Sequence, residues 1–457
     1  MTHIILILTA FLLACTKPGN DSGDRYGNEV AGITGDIANA GLLEMELWDP
    51  PESAIHIDPE NATGLYRDGS REHPFSSFDE VEWKDNTVYA LKRGTTIETG
   101  TVMLFGDNIT LASYGEGERP VIKSTSEAHA VSTKWESGHN ITVRDIEIYA
   151  PDAVSCLIFR TNSTNAKAIN LKLHGAIWGL RALNNIAGLL VHNTEIFNIA
   201  DDGMFIQESR NIEISHCYIH SVNQNWSPPS TPSTEAAGDG IQFERCNNWH
   251  VHHNIIDRSD TGNKFCFISN NPEQDNGIFE YNVLKGPMDR GFSIYIGDGR
   301  NIIVRYNYIA GPSQSPFYSH GNDLKIYYNI FRDINGPLYV SGSAEVYNNL
   351  FYNNAMGIEG GRITVKNNIF DLGSVNRPRF NVRELTESNN LFVYGIPTRY
   401  SETGNPNYVD PENSNFRLLP QSDAIDGGVD VGIRRDFDGN PVPAGMAPDI
   451  GPFEYQH

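Results

Sequence analysis

The chain has 457 residues, of which 39% are hydrophobic and 20% charged, so it can bury a large core and is not disordered overall. Its 34 Lys and Arg residues against 57 Asp and Glu residues give a formal net charge of −23. This excess of negative charge excludes a general nucleic-acid binder, because phosphate binding needs positive charge. Five cysteines are too few for a disulfide-rich scaffold.

The first fifteen residues predict an exported lipoprotein. An apolar run over residues 4–13 is too short to span a bilayer, which needs roughly 20 residues, but fits a signal peptide. It ends in Leu12-Leu13-Ala14-Cys15, which resembles a bacterial lipobox and implies cleavage before Cys15 and a diacylglycerol on its thiol. No Lys or Arg precedes the run, so an ordinary cleaved signal is the alternative. Residues 16–50 predict a flexible tether, and the protein would be lipid-anchored in the bacterial cell envelope, on the periplasmic or surface face of the outer membrane.

A sequence motif recurs at intervals of roughly 22 residues from residue 140 onward. It reads apolar-x-apolar, two residues, Asn, one residue, then Ile or Leu, as in Leu190–Ile196 and Val304–Ile309. Alternation at period two predicts short strands, and stacking of such units into a solenoid buries apolar faces that one unit cannot bury alone. The recurring polar residues are Asn193, Asn254, Asn282, Asn307, Asn329, Asn349, Asn368 and Asn390, with Cys217 in the same slot of one copy.

An Asn at a fixed corner can bond the bent backbone and the Asn of the next coil. This pattern, over residues 85–395, resembles the right-handed parallel β-helix of the pectate-lyase-like superfamily, with its internal asparagine ladder. The resemblance implies an all-β solenoid of about ten or more coils. It places the β-helix and its N-terminal cap at residues 51–395, and a C-terminal capping segment at residues 396–457. The cysteines after Cys15 predict buried free thiols, with disulfides as the alternative.

The repeat breaks between Cys217 and Asn254, which lie farther apart than other neighbouring slots. The excess is a segment rich in Pro, Ser and Thr near residues 223–237, which predicts a loop that leaves the solenoid. Long loops on rigid scaffolds often carry function. Trp226 in this loop could stack on a sugar ring or simply hold the loop against the coil.

The strands after the turns of this region align as Asp202–Ile206, Asp239–Phe243, Asn263–Phe267 and Arg290–Ile294. Alternation then predicts that Phe265 and Phe292 face the core.

The same alignment predicts outward rows of side chains. Cys266 and Ser293 fall in one such row. Lys264 falls in another row that otherwise contains Gly203, Gly240 and Gly291. Glycine neighbours would leave room for a ligand, so Lys264 is predicted to face a binding groove.

Asp202 and Asp239 align at the turn before these strands, with Asp201 beside them. Carboxylates that meet at a solenoid turn can hold a hard cation such as calcium through their oxygens. The alternative is an ordinary Asp-Gly turn in which each Asp bonds its own backbone.

The resemblance also implies a chemistry, by analogy of fold. In the lyases of this superfamily, calcium or Arg neutralises a uronate carboxylate, and a Lys or Arg removes the adjacent proton so that β-elimination breaks the glycosidic bond. This implies Lys264 as the base, Arg290 or Arg181 for the carboxylate, and the Asp cluster for the cation. Positive neighbours and a partly dry groove lower the pKa of a Lys, as a base requires. The first hypothesis is therefore a lyase acting on a uronic-acid-containing polysaccharide.

Two other functions are open. A glycoside hydrolase on the same fold needs two or three carboxylates across the bond, which Asp201, Asp202 and Asp239 can supply. A non-catalytic glycan-binding lipoprotein needs no titrating residue and would use aromatic rings as platforms. The protein is expected to be a monomer. Under every hypothesis its expected partner is a polysaccharide, which is expected to be acidic. The remaining predicted substrate contacts are Arg181, Trp226, Gln242, Glu244, Tyr295, Tyr318 and His320.

Overall fold

The computed structural model of the protein describes residues 35–61, 66–135, 138–222, 238–259, 265–270, 274–286, 291–354, 357–373, 379–394 and 398–456. Within these ranges the regular structure is almost entirely β-strand. The strands of the first half of the chain are β1 (Ile55–Ile57), β2 (Val88–Lys92), β3 (Thr96–Thr99), β4 (Val102–Leu104), β5 (Thr110–Tyr114), β6 (Val121–Ser124), β7 (His129–Thr133), β8 (Thr142–Arg144), β9 (Glu147–Tyr149), β10 (Ser155–Phe159), β11 (Thr164–Ile169), β12 (Lys172–His174), β13 (Trp178–Ala182), β14 (Ala187–His192), β15 (Glu195–Phe197), β16 (Met204–Gln207), β17 (Arg210–Ser215) and β18 (Tyr218–Ile219).

The second half of the chain continues the same succession of short strands. They are β19 (Ile241–Glu244), β20 (Asn247–His252), β21 (Ile255–Asp257), β22 (Phe267–Asn270), β23 (Gly277–Glu280), β24 (Val283–Lys285), β25 (Phe292–Ile296), β26 (Ile302–Arg305), β27 (Tyr308–Ala310), β28 (Ser315–Ser319), β29 (Leu324–Tyr327), β30 (Ile330–Arg332), β31 (Leu338–Tyr347), β32 (Leu350–Tyr352), β33 (Ile358–Lys366), β34 (Ile369–Asp371), β35 (Phe380–Ser388), β36 (Leu391–Phe392), β37 (Glu402–Thr403), β38 (Tyr408–Asp410) and β39 (Asn415–Leu418). Short 3-10 helices cover Asp36–Asn39, Pro59–Asn61, Phe78–Glu80 and Pro411–Asn413.

The strands stack into a parallel β-solenoid of about 12 coils, so the predicted fold is confirmed. Each coil contributes one strand to each of three sheets. The first sheet contains every third strand from β2 to β29, the second every third strand from β3 to β30, and the third every third strand from β4 to β28. From β31 on, one long strand spans the first and third sheets, because its two halves pair with β28 and with β29.

One hydrophobic core runs through the whole solenoid, from Ile57 at the first strand to Phe392 in the last coil. Inward residues on the third sheet stack in register along the axis, as in the series Leu180, Met204, Ile241, Phe267 and Ile294. Each of these side chains is fully buried. A coil therefore buries its apolar face against its neighbours, as the sequence repeat predicted.

The corner between the first and second sheets contains two stacked rows of polar residues. The inner row is a hydrogen-bonded asparagine ladder, in which each side-chain amide donates to the Oδ1 of the next coil. Asn307, for example, donates to Asn329 Oδ1 over 2.9 Å and accepts from the backbone N–H of Asn282 over 2.9 Å. The members of this buried ladder are Asn254, Asn282, Asn307, Asn329, Asn349, Asn368 and Asn390, with Cys217 in the preceding slot.

Asn193 was wrongly predicted as a member of that ladder. It lies one residue earlier, in an outer row whose backbone has a left-handed conformation with φ of 51°. Its side chain accepts a hydrogen bond from the Leu43 N–H and donates to Asn170. The full outer row, all with positive φ, is Asp145, Asn170, Asn193, His216, His253, Tyr281, Tyr306, Tyr328, Asn348, Asn367 and Asn389.

Two segments outside the coils cover this corner. Residues 36–48, within the stretch predicted as a tether, contact the outer row through Asn39, Gly41 and Leu43. The C-terminal segment covers the later coils, where Asn348 donates to the carbonyls of Asp449 and Gly451. Both segments satisfy polar groups that the outer row leaves at the corner.

The four described cysteines, Cys156, Cys217, Cys246 and Cys266, are buried free thiols, as predicted. No helix in the described residues is long and apolar enough to cross a membrane. The predicted lipidation site Cys15 lies outside the described residues.

Candidate functional site

The site lies on the outer face of the third sheet, where the strand register defines a row of side chains along the axis. The turn that precedes each of these strands varies in length from coil to coil, whereas the asparagine corner does not. The members of the row are Arg181, Phe205, Gln242, Ile268, Tyr295, Tyr318 and Tyr339.

A cleft of about 460 Å³ opens at the start of this row. Its walls come from four consecutive coils and combine carboxylates with aromatic and amide side chains. The lining residues are Trp178, Asp201, Asp202, Phe205, Asp239, Gln242, Phe265, Ile268 and Asn270. Two of the predicted substrate contacts outside this list, Tyr295 and Tyr318, continue the row beyond the cleft.

Asp202 is a buried acid of the cleft with a perturbed pKa. Its side chain is only 4% exposed, Oδ1 accepts the Asp239 N–H over 2.7 Å, and the Trp178 side chain also bonds to the carboxyl group. Burial, and then the charges of Asp239 and Asp201, raise the pKa of Asp202 well above its ordinary value. A group that shares a buried corner with like charges must hold a proton or be met by a cation.

Asp239 repeats this arrangement one coil later. It is 3% exposed, and its Oδ1 accepts the backbone N–H of Phe265 over 2.9 Å. Asp202 and Asp239 therefore form a short ladder in which each carboxylate bonds the backbone of the following turn. These bonds go to the next coil and not to the backbone of the same turn, so they differ from the predicted Asp-Gly turn. Asp201, Asp202 and Asp239 all line the cleft.

Arg181 is a cation close enough to the cleft to be attracted by Asp202 and Asp201. Its guanidinium lies 4.5 Å from the centroid of the Trp178 ring and 5.8 Å from that of Phe205. Its Nε is buried and has no hydrogen-bond partner within the described part of the chain. Burial, and then repulsion from Arg160, lower the pKa of Arg181, while the attraction of Asp202 and Asp201 opposes the change.

The alignment that placed Lys264 in a glycine row is wrong by two residues. Gly240 donates its N–H to the carbonyl of Phe265, and Ile241 pairs with Phe267 instead of Phe265. A shift by two residues keeps the same alternation of faces, so the apolar pattern cannot detect it. Lys264 and Arg290, the two predicted catalytic residues, lie outside the described residues.

The glycines of that row do not leave space for a ligand. A Cβ on Gly203 would lie 2.6 Å from the Gly240 carbonyl oxygen and 2.7 Å from a methyl carbon of Ile219. A Cβ on Gly240 would meet the Cys266 carbonyl oxygen at 2.4 Å. Glycine is required here because the backbones of successive turns approach closely.

The predicted faces of four residues near Lys264 are reversed in the structure. Phe265 lines the cleft and its ring stacks with that of Phe292 at a centroid distance of 5.5 Å. Cys266 and Ser293, predicted to face outward, are fully buried. Phe265 and Cys266 precede β22, where strand alternation does not apply, whereas Phe292 and Ser293 depart from the alternation at the start of β25, in which Ser293 and Ile294 are both buried.

The tyrosines of the row are packed on one another. The Tyr318 ring stacks on Tyr295 at 5.7 Å and on Tyr339 at 4.5 Å, with interplanar angles of 9° and 17°. Their faces are therefore covered by neighbouring rings, and what remains for a ligand is mainly edges and hydroxyl groups. His320 meets the Tyr318 ring edge-on and bonds to Ser341 over 3.0 Å.

Gln242 and Glu244 belong to one polar network beside the cleft. Gln207 donates to Glu244 Oε2 over 2.9 Å, and Gln242 donates to Oε1 over 3.3 Å. Only Gln242 of this pair lines the cleft. Trp226, the remaining predicted contact, lies outside the described residues.

Sequence reasoning missed Trp178, Phe265 and Tyr339. Trp178 had a visible signal, because Trp178-Gly179 occupies the slot of Asp202-Gly203 and Asp239-Gly240, one coil earlier. Tyr339 pairs in register with Tyr318 and follows from the repeat once the row is known.

The comparisons with known proteins agree with this architecture. Residues 76–271 match the family model described as "Right handed beta helix region". The protein is thus a right-handed parallel β-helix with an acidic cleft on its third sheet. A search of curated proteins finds no match.

Several solved structures are similar to the chain at low sequence identity. The complex of XylC with xylose has a TM-score of 0.52 and 10% identity, with 88% of this chain and 98% of that chain covered. Pectate lyase Pel9A has a TM-score of 0.44 and 15% identity, with 88% and 97% covered. The Agl-KA catalytic domain has a TM-score of 0.44 and 13% identity, with 76% of this chain and 66% of that chain covered. The chain thus spans slightly less than two thirds of the Agl-KA domain.

Proposed function

We propose that the protein is an enzyme that cleaves glycosidic bonds of a polysaccharide lying along the third sheet, with the carboxyl groups at the cleft as its catalytic groups. The observation that carries the proposal is the buried Asp202 carboxyl, whose pKa is raised, beside Asp201 and Asp239 in one cleft. Pairs of acids whose environments separate their pKa values are typical of acid–base catalysis.

The described geometry supports hydrolysis best. In this mechanism Asp202, whose raised pKa favours the protonated form, gives its proton to the oxygen of the leaving sugar. An ionised carboxylate, Asp201 or Asp239, activates the water or attacks the sugar carbon. Gln242 and the hydroxyl groups of Tyr295 and Tyr318 would bind neighbouring sugars through hydrogen bonds, since their ring faces are covered.

An acidic polysaccharide remains the proposed substrate class. Arg181 is largely desolvated beside the cleft, and a guanidinium can pair with a carboxylate through two hydrogen bonds. A uronate bound there would also reduce the cost of burying this cation.

A lyase is the second candidate, and one observation favours it. The N–H of Phe265 bonds to Asp239, and Lys264 directly precedes Phe265 in the chain. Lys264 would remove the proton beside the uronate carboxyl group, and Arg290 would bind that group. β-Elimination would then break the glycosidic bond.

Calcium fits the donor chemistry of the cleft. Asp201, Asp202 and Asp239 offer the oxygen ligands that calcium prefers, and a cation would relieve the mutual repulsion that raises the pKa of Asp202. A bound calcium would neutralise a uronate and make its neighbouring proton more acidic.

The decisive experiment is incubation with a panel of acidic and neutral polysaccharides, followed by mass and ultraviolet analysis of products. Water addition indicates a hydrolase, an unsaturated uronide indicates a lyase, and binding without products indicates the glycan-binding alternative. For a hydrolase, Asp202→Asn and Asp239→Asn should each reduce turnover by at least about 10²-fold, whereas exposed Asp298→Asn should not. For a lyase, Lys264→Ala should reduce turnover about 10²- to 10⁴-fold.

Variants with wild-type turnover on a cleaved substrate would refute the corresponding mechanism. The proposed cell-envelope location through a lipid on Cys15 is tested separately. Cys15→Ser should move the protein from the membrane fraction to the soluble fraction, and intact-mass analysis should show the loss of the diacylglycerol.

A further inference from the structure

A second cluster of chemically active side chains lies at the asparagine corner, on a different corner of the coils from the cleft. His216 follows β17, and one coil later His252 ends β20 and His253 follows it. One ring nitrogen of each residue lies within 4.8 Å of the corresponding nitrogens of the other two. All three side chains are partly exposed, so a solute ion can reach them.

His216 and His253 have left-handed backbone conformations, with φ of 54° and 55°. Asn193 and Asn348 fill the same row in other coils, and Tyr281 fills it in the coil after His253. The row therefore accepts several residue types, and the backbone alone does not require histidine at these two positions.

The contacts of the imidazoles bring their ring nitrogens close together. His252 Nδ1 and His253 Nδ1 are 2.8 Å apart, so a single proton bridges them. His216 Nδ1 lies 3.1 Å from the Asn39 carbonyl oxygen, an acceptor to which only a protonated ring nitrogen can donate. His216 Nε2 then carries the free lone pair.

His252 also has an outer partner. Its second nitrogen, Nε2, lies 3.7 Å from Glu213 Oε1. Metal-binding histidines commonly have a carbonyl or carboxylate at their other ring nitrogen, which fixes the tautomer and the ring orientation. His216 has such a partner in the Asn39 carbonyl, whereas Glu213 lies near His252 beyond hydrogen-bond distance.

We propose that His216, His252 and His253 form a binding site for one transition-metal ion of the zinc, copper, nickel or cobalt class. Imidazole nitrogen suits these ions, whereas calcium and magnesium require oxygen ligands. Zinc–nitrogen bonds of about 2.0–2.1 Å place tetrahedral ligands about 3.3 Å apart, so side-chain rotations within the 4.8 Å cluster close the site. Water would complete the coordination.

The ion would link three parts of the protein. It would join the coil of β17 to the coil of β20, which are the coils before and after residues 223–237. It would also fix the N-terminal segment, because Asn39 orients His216 and Gly41 donates its N–H to the His253 carbonyl. Metal binding is therefore expected to stabilise this part of the solenoid.

The test is calorimetric titration of the full-length exported protein, without a polyhistidine tag, with Zn²⁺ and with Ca²⁺. We expect saturable 1:1 binding of Zn²⁺ that a tenfold excess of Ca²⁺ does not displace. His216→Asn and His253→Asn place at each position the residue found elsewhere in the row. Loss of an outer-shell partner alone typically weakens metal binding roughly 10- to 100-fold. Each of these variants removes a direct ligand, so each should weaken Zn²⁺ binding by at least that factor.

The exposed His73→Asn is the matched control and should bind like the wild type. Absence of saturable Zn²⁺ binding, or unchanged binding in both cluster variants, would overturn the proposal. If a variant does not fold, the visible absorption of wild-type protein with Co²⁺ decides. Intense bands of a low-coordinate site with nitrogen ligands support the proposal, and the weak spectrum of hydrated Co²⁺ refutes it.

Discussion

Removal of one amide from the asparagine ladder should destabilise the solenoid locally. Asn307 donates from Nδ2 to the carbonyls of Phe279 and Arg305, over 2.9 Å and 2.8 Å, and to Asn329 Oδ1. Its own Oδ1 accepts the backbone N–H of Asn282. The residue is fully buried and lacks a positive φ, so Asn307→Ala removes these bonds without backbone strain.

The magnitude follows from what the truncation leaves behind. The Asn282 N–H becomes a buried donor that has lost this acceptor, which costs about 1–3 kcal/mol. The two lost bonds to backbone carbonyls add about 0.5–1.5 kcal/mol each. The Asn282 side chain retains its bonds to Val251 and Glu280, so it adds little. We therefore expect a loss of about 2–6 kcal/mol.

Hydrogen exchange followed by mass spectrometry is the suitable assay, because solenoid coils interact mainly with their neighbours and open locally. A loss of 2 kcal/mol speeds exchange roughly 30-fold, since 1.4 kcal/mol corresponds to tenfold. Faster exchange should appear in peptides around residues 279–330 and not around residues 88–114. The exposed Asn381→Ala is the control and should remain within about 0.5 kcal/mol of wild type. Unchanged exchange around Asn307 would refute the claim that the ladder stabilises the coils.

Three further predictions concern other regions. Burial raises the pKa of Glu454 to about 7, so the stability that its protonated form provides is complete at low pH and is lost as pH rises through about 7. Glu454→Gln should therefore reduce the dependence of the melting temperature on pH between pH 5 and pH 8. A pH dependence equal to that of the wild type would contradict this. Excess calcium should raise the melting temperature of the wild type but not of Asp202→Asn, and identical curves with calcium and with chelator would exclude the cation site. Replacement of residues 223–237 by a short bridge should leave cooperative unfolding in circular dichroism intact, because the segment exceeds the length of the repeat.

The sequence predicted the ladder well because its chemistry is restrictive. A buried corner slot that must donate to two carbonyls and to the next coil selects Asn at seven successive positions. Asn193 was misassigned because the neighbouring left-handed position also favours Asn, so residue type alone cannot separate the two rows. Cys217 was placed correctly, and its N–H indeed donates to Asn254 Oδ1 over 2.9 Å.

The cleft was predicted less well than the ladder. Asp202 and Asp239 were aligned correctly because each precedes a glycine that the close approach of turns requires. The next coil was misaligned, because the turn before β22 differs in length. A shift by two residues preserves the alternation of faces, so the sequence pattern did not reveal the error. The histidine cluster had a signal that was not used. The 37-residue spacing of Cys217 and Asn254 also separates His216 from His253.

The two corners of the coil thus impose different limits on the sequence. At the asparagine corner, the ladder residues form hydrogen bonds to the neighbouring coils, so a substitution there lowers the stability of the solenoid. At the turn before the third sheet, only a glycine and one backbone-bonding carboxylate are required, and the length and the remaining side chains are free to vary. Acidic groups, aromatic rings and a long insertion can accumulate at that turn without cost to the core. A catalytic site is therefore expected there, and the metal site proposed at the other corner is best explained as a structural link between coils.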